Sequence, residues 1–331
     1  MEIGKLPNEV LRALILDKIR NSRDEILIEP AVGEDCSAID FEHELCVISS
    51  DPITGTENEI GSIAVHVSCN DIAASGAEPV GIMVTLLIPP DSSMSSVEKI
   101  MQQLANTASL LNVDIIGGHT EVTDAVNRFV ISVTAIGKTN GRKLVRTAGV
   151  KPGDSFIMTK TAGLEGTAII AFENQKELAS QFGTQLVIDA KKLLSQISVI
   201  KEGLIAARHG VSAMHDITEG GLLGAVWEMC EASNCGAEII KDCIPVLDIT
   251  DKICNYYDIN PLKLISSGCM LIATREGSTL VDKLQDEGIQ AAIIGTATEK
   301  KSRILVTESG GIMIPSPKSD ELYKVKKRQG S

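Results

Sequence analysis

Aromatic residues are scarce in this sequence: one Trp, three Tyr and five Phe make up 3% of 331 residues. Its cores must therefore be filled by Ile, Val, Leu, Ala and Met. No run of about 18 uninterrupted apolar residues occurs, so no membrane-spanning helix is expected. The opening MEIGKLPNEV lacks the charged-then-apolar order of a secretory leader. An excess of positive charge is lacking too. The 31 Lys and Arg against 44 Asp and Glu leave a formal charge of −13. That charge repels phosphate backbones and argues against a general nucleic-acid binder. A nucleotide-binding chain of this sign needs a divalent cation as a bridge. None of the eight cysteines forms a C-x-x-C pair. They read as free thiols in a reducing cytoplasm rather than as a disulfide framework or a zinc site. A Walker loop is excluded, because Ser132 stands where G-x-x-x-x-G-K-T needs glycine ahead of Gly137-Lys138-Thr139. No G-x-S-x-G elbow occurs.

What is present is an ordinary globular composition, 44% hydrophobic and 23% charged, over a length that suggests two domains. Apolar periodicity predicts a helix near the start (Val10, Leu11, Leu14, Ile15, Ile19). A short strand follows over Leu45–Ile48, then a helix over Ile60–Ser75 stopped by Gly76. The pattern continues with a strand over Pro79–Pro89, a helix over Ser95–Leu111, a strand over Val113–Ile116 ending at Gly117-Gly118, and a strand over Phe129–Ile136. The polar, Gly- and Pro-containing passage Arg142–Gly153 is the expected boundary, giving domains 1–148 and 149–331. The second half predicts strands at Ser155–Thr159, Val211–Met214 and Ala237–Ile240, and helices near 187–208 and over Leu222–Ala232. Further strands at 269–273, 291–296 and 303–307 and a helix at 277–287 complete it. Strands alternating with helices mean α/β or α+β layering. The basic stretch Lys324–Arg328 reads as a frayed end.

Three acidic segments sit at the end of an apolar element or in a glycine turn: Gly33-Glu34-Asp35-Cys36-Ser37-Ala38, Ser49-Ser50-Asp51 and Ser68-Cys69-Asn70-Asp71. Carboxylates presented at strand ends suit Mg²⁺, a hard cation that takes a few carboxylates plus phosphate oxygens and water. Each alone also reads as a turn or a helix cap. Asp71 lies in an otherwise apolar helix, and a carboxylate there needs a partner. Gly117-Gly118-His119-Thr120-Glu121 reads as a phosphate-approaching glycine loop or a plain tight turn. Gly163-Leu164-Glu165-Gly166 opens a helix, either as an anion site or as an ordinary strand–helix turn. His215-Asp216-Ile217-Thr218-Glu219-Gly220-Gly221-Leu222 brings a His and two carboxylates to a strand end before a helix; capping by Thr218 is the plainer reading.

Together these segments resemble the superfamily of aminoimidazole ribonucleotide (AIR) synthetase (PurM), which also contains thiamine monophosphate kinase (ThiL), selenophosphate synthetase (SelD) and the hydrogenase maturation protein HypE. The family's GDDAA turn resembles residues 33–38, its T-T-D resembles Ser49-Ser50-Asp51, and its N-D helix with G-A-x-P resembles Asn70-Asp71 through Gly76-Ala77-Glu78-Pro79. Its G-G-[DE]-T loop resembles Gly117-Gly118-His119-Thr120, with His in place of the acid. Its D-x-[ST]-x-G-[GF]-L motif resembles Asp216 through Leu222. The resemblance runs from Gly4-Lys5-Leu6-Pro7 to about Val306.

It implies a two-domain α+β fold: an N-terminal α/β domain that binds ATP and dimerises through its strands, and a C-terminal α/β domain beside it. It implies ATP and Mg²⁺ as cofactors and phosphorylation, or phosphate activation, of a small-molecule or protein-borne acceptor. Asp35, Asp51, Asp71 and Asp216 would be metal ligands. Asn70, Gly117, Gly118, Thr120, Gly163 and Glu165 would hold nucleotide, and Asp71, His119 and Asp216 would be catalytic. The resemblance also implies a cytoplasmic homodimer with no nucleic-acid or membrane partner. The opening and general layout look closest to HypE-like proteins, which end in P-R-I-C. Here the last cysteine is Cys269, so either the sequence stops short of that motif or the chain is a paralogue acting on another substrate, the reading preferred of the two. A thiamine-phosphate-kinase-like activity and a non-catalytic nucleotide-binding partner are the alternatives.

Overall fold

The computed structural model describes residues 8, 9, 12, 26–28, 31, 32, 34, 36–40, 44–53, 58–141 and 143–329. The apolar residues of the expected opening helix, Val10, Leu11, Leu14, Ile15 and Ile19, lie outside them, as do Gly33 and Asp35 of the first acidic turn.

The first domain contains β1 (Ile26–Ile28), β2 (Ser37–Asp40), β3 (Leu45–Ile53), α1 (Ile60–Ala74), β4 (Glu78–Ile88), α2 (Met94–Leu110), β5 (Asp114–Val122) and β6 (Val130–Lys138). Its strands form one sheet in the order β1-β2-β3-β6-β4-β5. The sheet is antiparallel except where β5 runs parallel to β4. β6 shows why such segments become strands. Ile131, Val133 and Ala135 alternate inward onto the core with Val47, Ile72, Ile82 and Leu86, while the residues between them face outward. α1 and α2 cover that inner face. The opposite face carries partly exposed Val80 and Met83, and the nine residues of edge strand β5 are all exposed.

The second domain contains β7 (Ser155–Thr159), α3 (Leu164–Glu173), α4 (Gln175–Phe182), α5 (Thr184–Lys192), α6 (Ile200–His209), β8 (Ala213–Asp216), α7 (Gly221–Ala232), β9 (Gly236–Ile240) and α8 (Asp248–Tyr257). β10 (Met270–Thr274), α9 (Gly277–Asp286), β11 (Ala291–Thr298), β12 (Arg303–Thr307), β13 (Gly310–Met313) and α10 (Leu322–Gln329) follow. Its sheet runs β13-β12-β9-β11-β7-β10-β8. Phe156 and Met158 face one core with Leu164, Leu222 and Val226 of α3 and α7. Ile157 faces the other, with Ile205 of α6 and Leu280 and Leu284 of α9.

α1 lies between the first sheet and the second domain, in contact with β8 and α6, and 13 of its 15 residues are buried. A helix enclosed this way must find a partner for each polar side chain it carries. Its contact with α6 is intimate: a Cβ at Gly203 would sit 2.3 Å from the Ala73 carbonyl oxygen. Only glycine permits that approach.

Four expectations change. β3 continues through Ser49-Ser50-Asp51 to Ile53, so Asp51 is inside a strand and not at its end. β5 runs on through Gly117-Gly118-His119-Thr120, so that segment is extended strand and not a loop. The helix expected over 187–208 is interrupted between α5 and α6. There the Asn70 side chain takes up the Ile197 carbonyl and the Val199 N–H that a continuous helix would have used. The basic stretch near the C-terminus is helical, α10, because Leu322 and Val325 bury against Tyr257 and Ile170. α8 and β13 have no counterpart among the predicted elements.

Candidate functional site

Asp71 is nearly enclosed, with 3% of its surface exposed. Its carboxylate accepts a hydrogen bond from the Ser49 hydroxyl, and its backbone carbonyl accepts one from the Cys36 thiol at 3.2 Å. The second motif therefore supplies a residue that the sequence reading passed over. Ser49 holds Asp71, and strand alternation places Asp51 two residues on, on the same face as Ser49. Asp51 and Asp71 thus converge on the helix-covered side of the first sheet. Glu34, beside Asp35 in the first motif, is held by Arg146, whose Nε and Nη2 donate to its Oε1 at 3.1 and 2.9 Å. Asp35 itself lies outside the described residues.

Asn70, expected to touch nucleotide, has another task. Its Nδ2 donates to the Ile197 carbonyl at 2.7 Å, and its Oδ1 accepts from the Val199 N–H at 2.9 Å. Both ends of the amide pin the second domain to α1. Beside it on the same helix, buried His66 has its pKa lowered to about 4, by burial and by the nearby Lys160 ammonium.

The pairing of β5 with β4 separates the residues of the glycine motif. Ile82 pairs with Ile115 but Met83 pairs with Gly117, leaving Ile116 as an extra residue. This β-bulge sets every face after it. Gly118 pairs with Val84 and Thr120 with Leu86. Val84 pairs through Val133 to Asp51, so Gly118 and Thr120 share the face of Asp51. His119 and Gly117 pair with Thr85 and Met83 and fall on the opposite, open face. His119 is exposed there, with Nε2 3.6 Å from Glu121 Oε2. Within one chain the structure does not bring His119 to Asp71. Gly118 is glycine for a packing reason: its φ is +146°, and a Cβ would lie 1.9 Å from the Val84 carbonyl oxygen.

The Gly163–Gly166 turn is filled from within. The Gly163 N–H donates to Ser266 Oγ at 2.6 Å and the Gly166 N–H to the Ile265 carbonyl at 3.0 Å. Glu165 is buried beneath it and accepts from the Ser267 N–H at 3.3 Å. Burial pushes its carboxyl up to about 7, against the hydrogen bonding from Ser267. The Gly163 and Gly166 N–H groups are thus taken up within the chain and Glu165 is buried beneath the turn, which departs from the phosphate cradle expected of Gly163 and Glu165.

Asp216 ends β8, the edge strand of the second sheet, on the element that packs against α1. It is fully buried. His215 beside it places Nδ1 4.0 Å from Asp216 Oδ1 and Nε2 3.1 Å from Glu228 Oε2. The glycines after Asp216 open α7, and the Gly220 N–H donates at 2.7 Å to Asp320 of the C-terminal segment.

Among the described residues no three His, Cys, Asp or Glu side chains gather as a self-sufficient metal cage. Mg²⁺ does not require one, because it is commonly held by one or two carboxylates with phosphate oxygens and water completing its octahedron. A buried carboxylate on an enclosed helix, a second one on the facing strand and a third across the domain seam are hard-oxygen donors of the kind it takes. The residues present fit the ion.

The sequence matches the N-terminal domain of AIR synthase related proteins over residues 33–139 and their C-terminal domain over residues 151–308. The chain belongs to the AIR synthase related family. A putative hydrogenase expression/formation protein of Methanocaldococcus jannaschii is 30% identical, with 96% of each chain covered. The carbamoyl dehydratase HypE of Cupriavidus necator is 26% identical over 80% of this chain and 75% of its own. Among solved structures, HypE in a HypE–HypF complex superposes with a TM-score of 0.78 at 22% identity, over 93% of this chain and 99% of that one. HypE in complex with ATP gives 0.69 at 18% identity, over 96% of each chain. ThiL complexed with AMPPCP and TMP gives 0.68 at 19% identity, over 86% of this chain and 92% of that one. The family fold is therefore the two-domain α+β arrangement that the motifs implied, and both sequence relatives named above are hydrogenase-formation or HypE proteins. No helix among the described residues is long and apolar enough to cross a membrane.

Proposed function

We propose that this chain binds ATP with Mg²⁺ between its two domains and uses it to phosphorylate, or activate by phosphorylation, a small-molecule or protein-borne acceptor. The observation that carries this reading is the convergence of Asp51 and Ser49-held Asp71 on one face of the first sheet, with Asp216 on the strand packed against the same helix. The ATP-bound HypE neighbour and the enzymatic names of the relatives support it.

Asp51 and Asp71 would hold the ion from the first domain, Asp35 would add a third carboxylate, and Asp216 would approach from the second. When bound, Mg²⁺ neutralises charge developing on the transferred phosphoryl group. Gly118 and Thr120, on the face of Asp51, would line the phosphates. Asn70 sets the spacing of the two halves rather than touching nucleotide. The domain division falls at residue 148.

The open face of the first sheet, with exposed Val80, Met83 and Ile116 and an uncovered β5, is the surface through which the chain would form a homodimer. An edge strand this exposed is a ready template for another chain. His119 lies on that face, so its role belongs to the dimer rather than to the acidic cluster of its own chain. The eight free cysteines suit a reducing cytoplasm.

The test is ATP binding by calorimetry with and without Mg²⁺, followed by ATP turnover with candidate acceptors. Asp71→Asn should abolish Mg²⁺-dependent ATP binding while the fold persists. Unchanged affinity in the folded variant would sink the assignment. Wild-type binding without turnover on any acceptor would favour a non-catalytic nucleotide-binding role.

A further inference from the structure

We propose that Asn140 is a site of spontaneous covalent modification, in which the backbone nitrogen of Gly141 displaces ammonia from the Asn140 side chain. The inference is independent of the nucleotide site. Of the 12 asparagines in the chain, Asn140 alone is followed by glycine. The pair forms the turn that leaves β6, and the chain on both sides of it is anchored. The Thr139 N–H donates to the Leu45 carbonyl at 3.2 Å. The Thr139 hydroxyl accepts from the Leu45 N–H at 3.2 Å and donates to the Gly141 carbonyl. Farther on, the Val145 N–H donates to the Ser75 carbonyl at 3.1 Å. Between these anchors Asn140 is exposed. Gly141 has a φ of +69°, and a Cβ built on it would meet nothing within 4 Å. Among the described residues the Gly141 N–H meets no acceptor.

That N–H sets Asn140 apart from the other exposed turn asparagines. Asn112 and Asn234 also have positive φ, but the N–H after each is used: Val113 donates to the Ala108 carbonyl at 2.9 Å and Cys235 to the Cys230 carbonyl at 3.0 Å. Asn260 precedes Pro261, which has no N–H to give. Asn106 and Asn255 lie inside α2 and α8, where the following N–H belongs to the helix.

The chemistry needs only water. The Gly141 nitrogen gives its proton to solvent base and bonds to Asn140 Cγ. The Cγ–Nδ2 bond breaks, the side-chain nitrogen leaves as ammonia, and a five-membered succinimide remains. Water then adds to one of the two ring carbonyls and breaks its bond to nitrogen. Opening at Cγ gives aspartate in an ordinary backbone. Opening at the main-chain carbonyl gives isoaspartate, with the chain running on through Cγ and one carbon longer. Either product carries a carboxylate where an amide stood. Asn140 lines a cleft of about 730 Å³ between the first sheet and α6, with Lys138, Lys143 and Arg208 against Glu44 and Glu78. The modification turns that excess of positive charge into a balance.

The experiment incubates the folded full chain in warm, mildly alkaline buffer made with oxygen-labelled water, beside a sample unfolded in guanidinium chloride. Both are followed by peptide mapping with mass spectrometry. The expected result is that the peptide holding Asn140-Gly141 gains the mass of OH in place of NH₂, carries the labelled oxygen and splits into aspartyl and isoaspartyl forms. In the folded chain it should do so at a rate comparable with the unfolded one, ahead of Asn112 and Asn234. Asn140→Gln, whose ring would need one more atom, should lose the change at an unaltered melting temperature. A folded chain that stays unmodified at Asn140, whether or not the unfolded chain reacts, would overturn the inference. So would earlier reaction at Asn112 or Asn234, or the same mass gain in that peptide of Asn140→Gln.

Discussion

The Ser49 hydroxyl on β3 donates to the Asp71 carboxylate on α1, joining two of the acidic motifs through side chains 22 positions apart. The bond gives a buried carboxylate a fixed direction. Ser49→Ala leaves that carboxylate short of a donor in an enclosed place, and such losses cost about 1–3 kcal/mol. The expected outcome is a drop of that size in unfolding free energy by urea titration, together with weaker Mg²⁺-dependent ATP binding. Ser49→Thr keeps the hydroxyl and should restore part of both. A Ser49→Ala variant as stable as wild type would show that Asp71 takes its support elsewhere.

Asn70 ties the domains together through both ends of its amide. Asn70→Ala orphans the Ile197 carbonyl and the Val199 N–H at a buried seam, which should lower stability by about 2–6 kcal/mol, the sum of two such losses. Asn70→Asp keeps the acceptor for Val199 and puts a carboxylate oxygen against the Ile197 carbonyl, so it should not rescue. Differential scanning calorimetry checks this: the seam predicts one melting transition in wild type and two in Asn70→Ala. A one-step melt at the wild-type temperature would remove Asn70 from the interdomain contact.

Two buried carboxyls should make stability fall as pH rises from about 4 to about 7, against the opposite slope of buried His66, whose pKa is lowered from 6.5 to about 4. Glu165 has its carboxyl pushed up to about 7 and Asp320 to about 6, in both cases chiefly by burial. Their folded values lie above those of the unfolded chain, so in this window these two groups hold more protons in the folded state, and through them raising the pH favours unfolding. The loss begins as pH passes the ordinary carboxylate range and levels off above pH 7. Its size for Glu165 is on the order of 3 kcal/mol. Glu165→Gln should flatten the upper part of the profile in denaturant titrations at stepped pH. A Glu165→Gln profile that runs parallel to wild type between pH 5 and 7 would contradict the burial of that carboxyl.

Much of the site was legible before any coordinates. An aspartate amid Ile63, Ala64, Val65, Val67, Ile72 and Ala73 asks for a partner whatever the fold, and the short motifs fell in family order. The partner was harder to read. Ser49 looked like the polar end of a strand, because Leu45–Ile48 is its only apolar stretch; the pairing of β3 with β6 carries the strand on to Ile53. The Gly163 turn looked like an anion site because its local sequence is one. Ser266 and Ile265, about 100 residues away, had already taken its N–H groups. The interruption near residue 197 was invisible for the same reason: nothing local breaks that helix, and the cause is an amide on α1.

His119 marks the division most sharply. The sequence by itself determined two domains of strands layered with helices, the acidic motifs and a glycine–His–Thr segment directly after the apolar stretch Val113–Ile116, because apolar alternation and glycine placement are local properties. It could not determine which face His119 occupies. Without the extra residue at Ile116, His119 would pair with Leu86, on the face of Asp51; with it, His119 pairs with Thr85 and points away, and Thr120 takes the place opposite Leu86. The strand period is two, so one bulged residue inverts every side chain beyond it. Where a bulge falls is settled by β4 lying alongside, with the Val84 carbonyl so close to Gly118 that no side chain fits between them.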